Sequence, residues 1–89
     1  MDSSDYVIVL TTMPSGPEAG RLAKILVEEH LAACVNVQHE MQSIYHWKGK
    51  TEQDSEQQLV IKTMSERVPV LRKRIRSLHP YECPEFVVI

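Results

Sequence analysis

The order of apolar and polar residues divides the chain into strand-like runs and helix-like stripes. Residues 6–10 and 86–89 are continuous apolar runs rich in β-branched side chains, which predicts strands with at least one covered face. Residues 19–30 and 68–78 instead place apolar side chains three or four positions apart, the spacing of one helix face. Residues 32–37 alternate between apolar and polar positions, which indicates a further strand.

The stretch around Gly49 predicts a long β-hairpin. Tyr45 and Trp47 favour a strand that leads into the turn, where Gly49 can take the positive φ that a tight turn needs. The outgoing arm, residues 51–58, has the length of a strand but almost no apolar side chains. Because such an arm cannot be held by its own core, we expect it to project and to pair with another chain.

Taken in order, these segments predict a β-α-β-β-α-β chain. With short connections and a right-handed crossover in each half, this order gives a ferredoxin-like α/β sandwich, an antiparallel sheet with both helices on one face. Residues 39–42 interrupt the second strand, which indicates a bulge or kink. Residues 1–89 are expected to form one domain, small enough that a core shared between subunits would add stability.

The composition argues against several classes of protein. A formal charge of −2 provides no general attraction for nucleic acid or an anionic membrane. The third strand also lacks the aromatic residues with which RNA-recognition domains of this strand order bind bases. No apolar run approaches the ~20 residues of a membrane span. Two cysteines, Cys34 and Cys83, are too few for a disulfide framework and favour a reducing compartment, so we expect a cytoplasmic protein.

The densest group of reactive side chains lies between the second helix and the last strand. His79, Glu82, Cys83 and Glu85 place an imidazole, a thiol and two carboxylates within seven residues. Imidazole and thiolate suit borderline or soft metals such as copper or zinc. The alternative is that His79 caps the helix, Cys83 is buried and the carboxylates are solvated. Residue types alone favour this alternative, because no Cys-x-x-Cys or His-x-x-x-His spacing accompanies the group.

Two other groups have simpler interpretations. The basic residues between positions 72 and 76 are more typical of the solvated face of a helix than of a phosphate site. Cys34, in an alternating strand, is predicted to lie in the core. No glycine-rich anion-binding loop accompanies either cysteine, so we expect no nucleophilic enzyme.

Several motifs follow one another in a fixed order: Leu10-Thr11-Thr12 with Pro14, Leu31-Ala32-Ala33-Cys34-Val35, Ser43-Ile44-Tyr45 with Trp47, Gly49 and Lys50, and His79-Pro80-Tyr81 leading to Pro84-Glu85. Together they resemble the CutA divalent-ion tolerance family, from about residue 6 to residue 89. The resemblance implies a tight homotrimer with an architecture similar to PII signalling proteins, in which the hairpin reaches over to neighbouring subunits. It implies interface positions at Tyr45, Trp47, Lys50, Glu52 and Glu56.

The resemblance also implies a role in the response to divalent metal ions and, in copper-binding members, a copper(II) site. The ligands of those members are similar to a cysteine at the end of the first strand and a histidine pair before Pro-Tyr. The matching positions here are Thr11, Leu78 and His79, so only His79 is kept. With Cys83 and Glu85 as replacement donors, the predicted copper(II) ligands are His79, Cys83 and Glu85.

Two further expectations follow from the resemblance. Mammalian relatives are linked to anchoring of acetylcholinesterase, and PII-like proteins bind small molecules between subunits. A sensing or anchoring trimer without metal is therefore the alternative function. Relatives usually continue past the strand at residues 86–89 into a short strand and a helix, and this C-terminal tail is expected to be absent here.

Overall fold

The computed structural model describes residues 5–89 as a five-stranded antiparallel sheet and two α-helices, so residues 1–4 of the predicted domain lie outside the described residues. The sheet order is β2-β4-β1-β5, with β3 beside β4 in line with β2. This order confirms the predicted ferredoxin-like sandwich. The elements are β1 (Tyr6–Pro14), α1 (Pro17–Glu28), β2 (Cys34–Val37), β3 (Met41–Trp47), β4 (Lys50–Met64), a 3₁₀ turn (Ser65–Arg67), α2 (Val68–Leu78) and β5 (Val87–Val88).

Both helices cover the same face of the sheet. Val9 of β1 and Ile61 of β4 are cross-strand partners, and both belong to the fully buried core. Burying a side chain of this size contributes about 1.5–3 kcal/mol. The two helix stripes predicted from spacing are confirmed by the buried residues Ala19, Leu22, Ala23 and Leu26 of α1 and Leu71 and Ile75 of α2.

An ion pair joins α2 to the residue that follows α1. Arg74 of α2 donates from Nε and Nη2 to the two carboxylate oxygens of Glu29, at 2.8 and 2.6 Å. The hydrogen bond from Arg74 lowers the pKa of the Glu29 carboxyl. The other basic residues between positions 72 and 76 are exposed. Neither helix in residues 5–89 is long and apolar enough to cross a membrane.

A bulge between β2 and β3 sets the direction of the hairpin side chains. Both strands pair with β4 in the same sense, Val37 opposite Leu59 and Met41 opposite Glu56. Three residues, 38–40, therefore face only two on β4. The extra residue moves the odd-numbered side chains of β3 from the helix-covered face to the other face of the sheet. An interruption is thus present, at residues 38–40 instead of the predicted 39–42, and it aims the aromatic residues of β3 away from the core.

The hairpin turn consists of two residues, Lys48 and Gly49, with positive φ angles of 50° and 77°. Positive φ at both central residues is the type I′ geometry, whose twist matches that of the flanking strands. The turn predicted at Gly49 is confirmed. The left-handed conformation of Lys48 has no signal in the sequence, because lysine is not a residue typical of this position.

Two predictions about the sheet need correction. Residues 56–58 do not project, because they pair with β1, Glu56 opposite Pro14 and Gln58 opposite Thr12. Only residues 50–54 have β3 on one side and, within the described part of the chain, no strand on the other. Cys34 is exposed instead of lying in the core, because it stands on the sheet face that the helices do not cover.

Candidate functional site

An open cleft of about 1020 Å³ lies between the hairpin and the segment that follows α2. The hairpin forms one wall through the face that the bulge turns away from the helices. Residues 80–85 form the other wall. The lining side chains that carry a ring, a thiol or a carboxylate are Tyr45, Trp47, Asp54, Glu56, Tyr81, Glu82, Cys83 and Glu85.

Pro80 directs the chain from α2 into this wall. The residue before a proline is disfavoured in the helical conformation, and His79 accordingly has φ −80° and ψ 138°, which is extended. α2 therefore ends at Leu78, and residues 80–85 pass back over the end of the sheet toward the hairpin. The helix stop that is evident in the sequence is thus also the feature that builds the cleft.

His79 anchors the start of this segment to β1. Its side chain is buried, with Nε2 at 2.6 Å from the carbonyl oxygen of Thr12. Its Nδ1 accepts a hydrogen bond from the backbone N–H of Tyr81 at 3.1 Å. A neutral imidazole that accepts at Nδ1 carries its proton on Nε2, which then donates to Thr12. Both ring nitrogens are therefore engaged within the chain.

Tyr81 connects the segment to β4. Its hydroxyl donates to Oε2 of Glu56 at 2.7 Å. Glu56 is only 8% exposed, and a carboxylate that is so buried normally has a hydrogen-bond partner of this kind. The resemblance implies for Glu56 a place in a subunit interface. The structure adds a role inside the chain, where Glu56 and Tyr81 hold the two walls of the cleft together.

A second phenol–carboxylate pair lies on the hairpin wall, where the Tyr45 hydroxyl donates to Oδ2 of Asp54. This hydrogen bond, with smaller contributions from burial and neighbouring acids, raises the pKa of Tyr45 to about 12. Burial, followed by the hydrogen bond to Glu56, also raises the pKa of Tyr81 above its ordinary value. Both phenols therefore stay protonated near neutral pH, and the charge of the cleft is that of its carboxylates.

We expect Tyr45 to ionise late in an alkaline titration followed by tyrosinate absorbance. Its folded-state pKa lies above the ordinary value of 10.0, so its contribution to stability is present below pH 10.0 and is lost as the pH rises toward about 12. Tyr45→Phe should remove a group that ionises near pH 12, and Asp54→Asn should lower the pKa of Tyr45. Tyr6→Phe removes the same chromophore outside the cleft and is the control. If the group that disappears from the titration in Tyr45→Phe has an ordinary tyrosine pKa, the hydrogen bond to Asp54 is contradicted.

The predicted copper(II) ligands are not brought together within one chain. Residues 5–89 contain no group of three or more His, Cys, Asp or Glu side chains placed to hold a metal ion. Cys83 and Glu85 are exposed and line the cleft, whereas His79 is buried and does not line it. His79 is bonded to Thr12 and Tyr81, so joint binding of a metal ion by His79, Cys83 and Glu85 stays a prediction.

The two positions at which copper-binding relatives have ligands are also not available to an ion. Thr11 is fully buried on the helix-covered side, and its Oγ1 has no hydrogen-bond partner in the part of the chain that the structure describes. Leu78 packs against the hydrophobic core. Neither residue lines the cleft.

The predicted interface residues lie on the same side of the hairpin. Trp47 is opposite Lys50, and Tyr45 is opposite Glu52. Trp47 is 60% exposed, which leaves much of a large apolar surface in contact with solvent. Glu56 lies at the buried base of the same row. The structure thus places the five residues together, and their contact with another subunit stays a prediction.

A family model described as CutA1 divalent ion tolerance protein matches residues 7–89. The divalent-cation tolerance protein CutA of Thermus thermophilus is 46% identical over 82 residues, which cover 92% of this chain and 80% of the relative. Protein CutA of Mus musculus is 47% identical over 78 residues, 88% of this chain, and this chain spans 44% of its length. The solved structure of the periplasmic divalent cation tolerance protein CutA from Archaeoglobus fulgidus superposes with a TM-score of 0.90 at 37% identity, covering 94% of this chain and 81% of that one.

Proposed function

Because the chain belongs to the CutA1 divalent ion tolerance family, we propose that it acts in divalent-cation tolerance by binding a cation in the cleft. The observation that carries the proposal is the charge of the lining. Within residues 5–89, no lysine or arginine lines the cleft. A cleft that presents one sign of charge raises the local concentration of ions of the opposite sign. The charged lining residues, Asp54, Glu56, Glu82 and Glu85, are all carboxylic acids.

We propose copper(II) as the metal ion and Cys83 and Glu85 as its donors. Both side chains are exposed and line the cleft, and thiolate is a ligand that copper accepts. Water or a donor from a neighbouring subunit completes the coordination. His79 takes part only when one of its two ring hydrogen bonds, to the Thr12 carbonyl or to the Tyr81 N–H, breaks, so it is not needed for initial binding.

A calorimetric titration with copper(II) tests these donors. Cys83→Ser combined with Glu85→Gln is expected to weaken copper binding by roughly tenfold or more, because neither serine nor glutamine supplies the anionic donor that cysteine and glutamate offer to a bound metal ion. Cys34→Ser combined with Glu66→Gln changes the same residue types at exposed positions outside the cleft, and it should bind as the parent does. Equal affinity in all three proteins, or no binding by the parent, would rule out this metal site.

We further propose that the chain forms a homotrimer through its hairpin. Residues 50–54 present an unpaired strand edge in the described chain, and such edges readily pair with another chain. The hairpin also exposes Ile44 and Trp47, at 66% and 60%. Covering these side chains in an interface would add apolar burial that a chain of 89 residues has little room for in its own core.

Small-molecule sensing without metal is the second candidate function. The observation that favours it is the presence of three aromatic side chains in the cleft, because a hydrated metal ion gains little from aromatic walls. Protein anchoring, a cytoplasmic location and the lack of an enzymatic activity stay predictions. For the location, the Archaeoglobus fulgidus relative is described as periplasmic.

A further inference from the structure

We infer that the basic face of α2 docks an acidic segment of a partner protein, one that carries aspartate or glutamate side chains beside an apolar residue. Three exposed cations, Arg72, Lys73 and Arg76, form this basic face. None of them lines the cleft. The helices also cover the face of the sheet opposite to the one toward which Tyr45 and Trp47 point. The basic face is therefore separate from the contacts that the proposed trimer makes through its hairpin.

The charges of α2 all have the same sign. From Val68 to Leu78 the helix carries four basic residues and no acidic one. Arg74 is paired with Glu29, whereas no carboxylate of residues 5–89 lies within ion-pair distance of the basic face. Two of its cations are one helical turn apart, a spacing at which like charges repel each other. The helix thus presents positive charge that the described part of the chain does not neutralise.

Simpler explanations account for only part of this charge. The sequence predicts a solvated helix face, and the three side chains are exposed, but exposure does not favour one sign of charge. The helix dipole favours a cation in the last turn, where Arg76 lies. Arg72 and Lys73 lie one turn earlier, where the effect of the dipole is weak. An anionic partner accounts for all three residues.

Arg72 is held in position before any partner arrives. Its guanidinium carbon lies over the Phe86 ring, 5.6 Å from the ring centre. A guanidinium that packs on an aromatic ring keeps its N–H groups, which lie in its own plane, available to a carboxylate. A side chain that is already ordered also loses less entropy when it binds. Arg72 is therefore prepared to donate to an anion.

The same helix shows how it binds a carboxylate. Nε and Nη2 of Arg74 donate to the two oxygens of Glu29 at 2.8 and 2.6 Å, the bidentate geometry in which arginine matches a planar anion. Arg72 and Arg76 can offer the same fork to carboxylates of another chain. Along the helix axis they are roughly 6 Å apart, which is also the separation of two acids one turn apart on a partner helix.

Two observations favour a protein segment over a nucleic acid or a membrane. Val70, one turn before Lys73, is 57% exposed, so the face offers an apolar contact beside its cations. A peptide can cover this valine with an apolar side chain, which a phosphate backbone lacks. Three cations on a chain of net charge −2 also provide little of the charge neutralisation on which nucleic-acid and membrane binding depend.

Fluorescence anisotropy with a labelled peptide tests the inference. The probe is a helix-forming peptide with glutamates one turn apart and leucines beside them, and the same peptide with glutamine in place of glutamate is the control. At an ionic strength of about 0.15 M, the parent protein is expected to bind the glutamate peptide roughly tenfold more tightly than the glutamine peptide. Equal affinity for both peptides, or no saturable binding of the glutamate peptide, would overturn the inference.

Matched double variants locate the binding face. Arg72→Gln combined with Arg76→Gln should weaken binding of the glutamate peptide by roughly tenfold. Arg21→Gln combined with Lys24→Gln removes two exposed cations from α1 and should bind as the parent does. All four positions are exposed, so the circular dichroism of both variants should match that of the parent. Equal weakening in the two double variants would show attraction to net charge alone and would overturn the inference.

Val70→Ser tests the apolar part of the face. It should weaken binding of the glutamate peptide by roughly threefold, because the valine no longer contributes apolar burial. Val27→Ser changes the same residue type at a position of α1 that is 40% exposed, and it should bind as the parent does. Unchanged affinity in Val70→Ser would contradict an apolar contact with the peptide and overturn the inference.

Two further probes present phosphate in place of carboxylate, a single-stranded oligoribonucleotide and vesicles of phosphatidylserine and phosphatidylcholine. Both are expected to bind more weakly than the glutamate peptide. If either binds more tightly and loses its affinity in the Arg72 and Arg76 double variant, the basic face belongs to a nucleic acid or a membrane, and the inference is overturned.

Discussion

His79→Ala is expected to lower the free energy of unfolding by about 2–4 kcal/mol, because each backbone group left unpaired in the interior costs about 1–3 kcal/mol. The imidazole is buried and bridges two segments, with Nε2 at 2.6 Å from the Thr12 carbonyl oxygen and Nδ1 at 3.1 Å from the Tyr81 nitrogen. Alanine leaves this carbonyl and this N–H without their side-chain partner. It also removes the ring that packs against Tyr81, at 4.8 Å between ring centres.

The loss is large for a chain of this size. A stability of roughly 0.05–0.15 kcal/mol per residue gives about 4–13 kcal/mol for 89 residues. Urea unfolding followed by circular dichroism, at one fixed protein concentration, measures the difference. His46→Ala removes an exposed imidazole from the hairpin and should change the stability by less than about 0.5 kcal/mol. Unchanged stability together with lost copper binding in His79→Ala would show that His79 is a metal ligand and not an anchor.

Gln53→Pro is expected to convert the proposed trimer into monomers while the hairpin stays folded. In a two-residue hairpin, Trp47 and Lys50 form the hydrogen-bonded pair next to the turn. Hydrogen-bonded and non-hydrogen-bonded pairs then alternate, so the backbone N–H and C=O groups of residues 51, 53 and 55 point away from β3. Gln53 is one of these. The carbonyl of Ser55, two residues on, accordingly accepts from the N–H of Ser15 on the β1 side at 3.3 Å. Proline at position 53 removes only an outward N–H.

The matched control for this change is Gln53→Ala, which shortens the side chain but keeps the backbone donor. It should remain a trimer in size-exclusion chromatography with light scattering, whereas Gln53→Pro should elute with the mass of one chain. The circular dichroism of both variants should match that of the parent. A Gln53→Pro protein that is still trimeric would show that the free edge of β4 does not join the subunits.

The secondary structure could be predicted from the sequence because helices and strands space their apolar residues differently along the chain. The helix stripes through Leu22 and Leu71 and the turn at Gly49 depend on local spacing and backbone preference, which the sequence displays directly. The extent of the projecting arm was predicted less well. Polar side chains at residues 56–58 resemble an exposed strand, yet these residues pair with β1, and Glu56 is buried by the segment that crosses over it.

The cleft itself could not be predicted, because it depends on register. One extra residue between β2 and β3 decides that Tyr45 and Trp47 face away from the helices, and spacing alone cannot count that residue. The role of His79 depends on a contact with Thr12, which is 67 positions away in the chain. An imidazole that is free to bind a metal and one that is bonded on both nitrogens are identical in a sequence.

The proposal that this CutA1-family chain assembles through its hairpin is tested most directly by the mass of the particle that the unmodified chain forms in solution. Sedimentation equilibrium over a range of protein concentrations is expected to give three times the chain mass of 10.2 kDa. The resemblance to the CutA family implies the trimer, and the free strand edge at residues 50–54 and the exposed Trp47 offer a surface for it in the described chain. A mass of one chain at every concentration would contradict the proposed assembly.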